Sequence, residues 1–156
     1  MNQVTSLILD FIMSTFPAVG FAMLFAVPKR YLIYVAFGGG IAHLSRTIFM
    51  TGFDFGIVVA TFLSSIIISL IFIYVGPKLK VPRPVFTVAS IIPIIPGKYA
   101  YTTLLSIIYL HNYDTDYTKY VEQFFQNGMT TLAVMLAMGL GIALPPLFFY
   151  RNRPVV

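Results

Sequence analysis

The chain has 156 residues, of which 58% are hydrophobic and only 10% charged, with a formal net charge of +5. Soluble domains average about 25% charged and 45–50% apolar residues, so this sequence lacks the polar surface to dissolve a single globule and reads as a membrane protein. The absence of cysteine excludes disulfides, thiolate metal sites and cysteine nucleophiles, and the Lys and Arg residues stand singly or in short clusters between apolar runs, which speaks for membrane topology and against nucleic-acid binding.

A bilayer core of about 30 Å needs about 20 mostly apolar residues per helix, and the stretches 4–27, 31–51, 55–75, 85–110 and 121–149 meet this need. The expected fold is all-α: a polytopic membrane protein of five helices in a single transmembrane domain, residues 1–156, with no linker or low-complexity tract to divide it. The N-terminal MNQVTSLILDFIM has no Lys or Arg before its apolar stretch and no small-residue cleavage pattern after it, so it is expected to be retained. The first segment carries Asp10, and Pro17 and Gly20 mark a candidate helix break or an ordinary proline kink.

The second segment holds His43 and Arg46, three residues apart and therefore on one helical face. Ionisable residues inside a membrane helix are a functional hypothesis by default. Helical rise puts Arg46 about 8 Å and Asp10 about 9 Å from the outer end of their segments, with Asn127 of the fifth at a similar level. Asp10, His43, Arg46 and Asn127 thus form a candidate polar layer able to hold a proton or an anion. A static Asp10–Arg46 pair, or an Arg46 that reaches the headgroups, is the plainer alternative.

The third segment, FGIVVATFLSSIIISLIFIYV, is free of charge. The fourth contains IIPIIPGKYAY, in which Pro93 and Pro96 each delete a backbone donor, opposite the carbonyls of Ala89 and Ile92, and Gly97 lets the chain turn. The helix is expected to break near the bilayer centre, where lipid cannot satisfy freed carbonyls and some group of the protein must. Lys98 follows at once, and its stem of about 6 Å is too short to reach either interface. Tyr101 lies three residues on, facing the same side. In the fifth segment Ala133, Ala137 and Gly141 make a small-residue stripe that another helix can approach closely.

If all five segments cross, Lys29, Arg30, Lys78, Lys80, Arg83, Arg151 and Arg153 fall on one side, and Asp54, Asp114, Asp116 and Glu122 on the other, with Lys119 the exception. The positive-inside rule then places the N-terminus outside and the C-terminus in the cytoplasm. Nucleotide-loop, zinc-protease and nucleophile-elbow motifs are missing, and no residue pattern asks for a cofactor or a metal. Ser45 diverges from His43 on the helix; Ser64 or Ser65 meeting His43 across helices, as in an intramembrane hydrolase, is the least favoured reading.

The segments PAVGFAMLFAVP (17–28), His43-Leu44-Ser45-Arg46, FTVASIIPIIPGKYAYTTL (86–104) and LPPLFFYRNRP (144–154) resemble the small subunit of split threonine/serine exporters, the ThrE family, from about Phe16 to Pro154. The resemblance implies a YjjB-like subunit in the bacterial cytoplasmic membrane that works with a larger YjjP-like partner. It also implies proton-driven export of small hydroxy-amino acids or, in split relatives, of succinate-like dicarboxylates. Pro17, Gly20, His43, Arg46, Pro93, Pro96, Gly97 and Tyr101 stand at the family's positions. Lys98 departs from the pattern, and a midplane cation suits a small carboxylate substrate better than a net-neutral amino acid. The competing expectation is a non-transporting assembly or scaffold subunit of a membrane complex, in which the prolines only shape packing.

Overall fold

The computed structural model describes residues 3–111 and 117–149, and the elements among them are helical. In chain order they are α1 (Gln3–Leu24), a 3₁₀ turn (Lys29–Tyr31), α2 (Leu32–Gly52), α3 (Ile57–Leu79), α4 (Pro84–Ile91), a second 3₁₀ turn (Ile92–Ile94), α5 (Gly97–His111) and α6 (Tyr117–Phe149). α1, α2, α3 and α6 are long and apolar enough to cross a bilayer, and α4 with its 3₁₀ turn and α5 meet the same test only as an interrupted pair. The expected fourth-segment break is therefore present.

Of the two readings open at Pro17 and Gly20, a helix break or an ordinary proline kink, the break does not occur. α1 is continuous from Gln3 to Leu24 with Pro17 inside it. One proline removes a single bond, to the carbonyl four residues back, and its fixed φ is itself helical, so the turns on either side carry the helix through. Pro77 in α3 and Pro145 and Pro146 in α6 are accommodated in the same way.

The described residues form two compact units: those up to Ile94 together with those from Ala137 onward, and Ile95–Leu136. In the first unit α2 is the hub, packed on α1, α3 and α4. Its centre is the run Gly38-Gly39-Gly40, in which successive residues point about 100° apart around the helix. A Cβ on Gly38 would overlap Ser90 Oγ of α4 and come within 2.8 Å of Phe72 Cζ of α3; one on Gly39 would overlap the Ala18 methyl of α1; one on Gly40 would lie 2.5 Å from the Phe11 ring. Three neighbouring helices thus close on bare backbone, the device by which membrane helices gain dispersion contact without a hydrophobic drive between them. Around this hub Phe86 stacks on Phe72 at 5.4 Å and meets Tyr31 edge-on at 5.6 Å.

Gly141 of the small-residue stripe closes the unit from α6, where a Cβ would come within 2.7 Å of both the Phe62 carbonyl and Ser65 Cβ of α3. Ala137 is also buried, so this part of the stripe is filled within the chain itself. Consecutive packed helices joined by short turns run antiparallel. Lys29, Arg30, Lys78, Lys80 and Arg83 accordingly gather at one end of the first unit and Asp54 at the other. Asp114, Asp116, Arg151 and Arg153 lie outside the described residues. In the second unit α5 meets the first half of α6 through Tyr109 stacked on Tyr120 at 4.8 Å and Thr103 against Gly128, where a Cβ would be 3.4 Å from the Thr103 methyl.

Candidate functional site

Arg46 is half-buried on α2, and its guanidinium does two things at once. Nη1 donates to the backbone carbonyl of Ile94 at 2.8 Å, and Nη2 donates to His43 Nε2 at 3.2 Å. Ile94 is the last residue of the 3₁₀ turn that ends in the interruption of the fourth span. At that interruption Gly97 N–H bonds the Ile95 carbonyl two residues back, 2.8 Å, a tight turn outside the helical ladder, and the bond four residues back resumes with Ala100 N–H to the Pro96 carbonyl, 3.1 Å. A freed carbonyl in an apolar setting needs a donor, and the fork of an arginine supplies a charged one. The two features that stood apart in the sequence, the His43/Arg46 face and the proline break, are joined by this one side chain.

The contact also determines the chemical state of His43. A guanidinium offers only hydrogens, so Nε2 must present its lone pair, and the neutral ring then carries its hydrogen on Nδ1. Nδ1 is buried and has no hydrogen-bond partner among the described residues. An unsatisfied buried donor costs about 1–3 kcal/mol, which marks the ring as held in place by Arg46 rather than by its own full complement of bonds. Asp10 reaches the same region from α1: Thr47 Oγ1, on the residue after Arg46, donates to its Oδ2 at a long 3.4 Å. Arg46 and Asp10 are the charges that act on His43.

Hydroxyls complete the first unit. Ser64 donates to the Ala42 carbonyl and lies 2.7 Å from Ser45 Oγ, Ser69 donates to the Ile142 carbonyl at 2.9 Å, and Ser90 to the Val35 carbonyl at 3.3 Å. Ser65 donates to the Thr61 carbonyl one turn back, at 2.8 Å. Among the described residues the Ser64 and Ser65 hydroxyls are thus engaged with backbone carbonyls and with Ser45.

The remaining candidates, Gly20 of α1 apart, belong to the second unit or lead into it. Pro93 sits half-buried in the 3₁₀ turn, Pro96 is buried, and Gly97 opens α5. Lys98 is exposed in the first turn of α5, and among the described residues its ammonium takes no hydrogen bond or ion pair. Tyr101, one turn on, is 63% exposed. Asn127 donates its amide to the Gln123 carbonyl of its own helix at 2.8 Å, so the described bonds link Asp10 and Arg46 to α2 and the fourth span while Asn127 serves α6. Gly20 has no atom within 4 Å of an added Cβ. Sequence reasoning missed Gly38–Gly40 and Thr47; three consecutive glycines in an apolar span were the available signal, since only close helix contact excuses them there.

Over residues 10–148 the chain matches the family described as "Threonine/Serine exporter, ThrE". A Haemophilus influenzae protein described only as uncharacterized is 35% identical over 150 residues, a match that covers 96% of this chain and 50% of that protein. The chain thus spans about half the length of that curated relative. No solved structure matches it. With its apolar helices, the interrupted fourth span and a family match that runs through every described helix, the chain belongs to the threonine/serine exporter family ThrE, a family of membrane transporters.

Proposed function

We propose that this chain is the small subunit of a two-component, proton-coupled secondary exporter that carries small carboxylate metabolites, threonine and serine or succinate-like dicarboxylates, out of the cell. The observation that carries this reading is the interruption of the fourth span, followed at once by an exposed cation. α5 begins at Gly97, where the Gly97 and Ala100 amides already donate to the Ile95 and Pro96 carbonyls, and the positive end of its dipole coincides with the full charge of Lys98 in the same turn. Tyr101 offers a hydroxyl on the same face. A carboxylate is the ligand such a turn suits, in the way that broken helices of other secondary transporters hold substrate carboxylates.

The Haemophilus relative carries in one chain a further portion beyond the half that this chain matches. Here that portion is supplied by a larger, YjjP-like subunit. The basic end of the first unit faces the cytoplasm by the positive-inside rule, which puts the N-terminus outside, the C-terminus inside and the complex in the bacterial cytoplasmic membrane.

The test is Lys98→Met, reconstituted with the larger subunit in liposomes. Removing one charge-assisted bond of about 1.5–3 kcal/mol should lower dicarboxylate transport at least about tenfold and transport of neutral amino acids less. A Lys98→Met complex that assembles and moves every cargo at the original rate would remove Lys98 from the cargo site. A complex that moves none even with Lys98 in place would leave the scaffold reading.

A further inference from the structure

We propose that His43 is the proton-binding residue of this chain and that Arg46 reports its charge state to the interruption in the fourth span. The inference rests on the reading as a proton-coupled exporter and adds to it the site and the route of coupling. Its basis is a count of hydrogens. Arg46 Nη2 donates to His43 Nε2, so that nitrogen's lone pair is in use. A second proton on the ring can only go to that lone pair, because Nδ1 already carries the ring hydrogen. Imidazolium and guanidinium both have donors only, so the protonated ring and the Arg46 contact exclude one another. When hydronium delivers the proton, its O–H bond breaks as the Nε2–H bond forms, water departs, and the hydrogen bond from Arg46 is lost.

The same guanidinium holds the Ile94 carbonyl through Nη1. Its planar fork holds both the ring and the carbonyl in the neutral state, and in the protonated state it loses the ring and gains a positive charge beside it. The carbonyl it keeps stands at the end of the 3₁₀ turn, where the chain is already out of helical register. Protonation is thus converted into a change of restraint on the break, with no covalent change in the backbone. The charged groups that face His43 are Arg46 from α2 and Asp10 from α1. α4 contains no ionisable residue, and those of α3, Tyr74 and Lys78, lie toward its far end. Among the described residues Asp10 is the carboxylate whose charge acts on His43 and balances the imidazolium, and Nδ1–H is buried without a partner in the neutral state.

The test uses the cysteine-free sequence. Ile95, the residue after the Arg46-bound carbonyl, is 40% exposed, so Ile95→Cys introduces one thiol at the break. Its labelling rate by a maleimide is measured in the assembled complex across pH 5–8, the range in which histidine changes charge, at matched thiolate fraction. The rate should change several-fold with His43 present. It should be constant when His43→Gln is added, since the glutamine oxygen still accepts from Arg46 but takes no proton. Arg46→Lys should also flatten the response, because one ammonium cannot fork between the ring and the carbonyl. An unchanged pH response in His43→Gln, or none in the chain that keeps His43, overturns the proposal. Cargo transport by the same complexes separates the two readings: labelling that follows pH without any transport defeats the exporter and leaves the proton site, whereas transport that remains fully dependent on the pH gradient in His43→Gln defeats the site and leaves the exporter.

Discussion

Two stretches of this chain carry proline in the middle of an apolar span, and they behave differently. In α1 the single Pro17 is exposed and the helix passes through it, while in the fourth span Pro93 and Pro96 bracket a 3₁₀ turn and the helix stops before restarting at Gly97. One missing donor leaves one orphan carbonyl and an otherwise intact ladder. Two missing donors within four residues leave too little of the ladder to hold the turn between them, and a 3₁₀ turn with a side-chain donor is the lower-energy solution. Arg46 is that donor. A proline in a membrane helix is thus weak evidence of a functional break, and a pair with an arginine aimed at the carbonyl between them is much stronger.

The comparison can be broken most directly at Arg46. Arg46→Ala should destabilise the assembled subunit by about 2–3 kcal/mol, the worth of charge-assisted bonds whose buried carbonyl is then orphaned, read as a shift in the unfolding midpoint in detergent. An unshifted midpoint would mean that the break stands without its donor. Gly38→Ala is next. Its Cβ would enter the space of Ser90 and of the Phe72 ring, and overpacking of this kind costs about 1–3 kcal/mol, whereas Gly20→Ala, with open space around it, should be neutral or stabilising by a few tenths. Equal effects at the two glycines would show that α2 is not the hub. The smallest change is expected at Pro17→Ala: it restores one helical bond at an exposed position and should stay within about 0.5 kcal/mol in stability, with transport retained. Loss of transport there would return Pro17 to the functional break it resembled in the sequence.

The five apolar segments, their limits within a few residues, and the rupture at Pro93–Gly97 were legible because each depends on local properties: a run of apolar side chains long enough for a bilayer, and the missing hydrogens of proline. The continuity of α1 was less so, since the same residue type is compatible with a kink, a break or neither until the surrounding turns are in place. The polar layer was read by depth, which ranks Asp10, His43, Arg46 and Asn127 together but says nothing of rotation about each helix axis. The bonds that formed send Asn127 to its own backbone and Asp10 to Thr47.

By itself, then, the sequence determined that this is a helical membrane protein with four continuous helices long and apolar enough to span and a bent pair that meets the same test together, because hydropathy and proline chemistry act within a single segment. It also carried the family, in motifs spread from the first span to the last. Only the tertiary structure decided what meets what: that Gly38, Gly39 and Gly40 each receive a different neighbour, that Gly141 seats on α3, and that Arg46 reaches 48 positions along the chain to the Ile94 carbonyl. Such contacts depend on the rotation and crossing of helices packed on one another, and those are settled by the summed fit of every side chain in the bundle, which no single segment encodes.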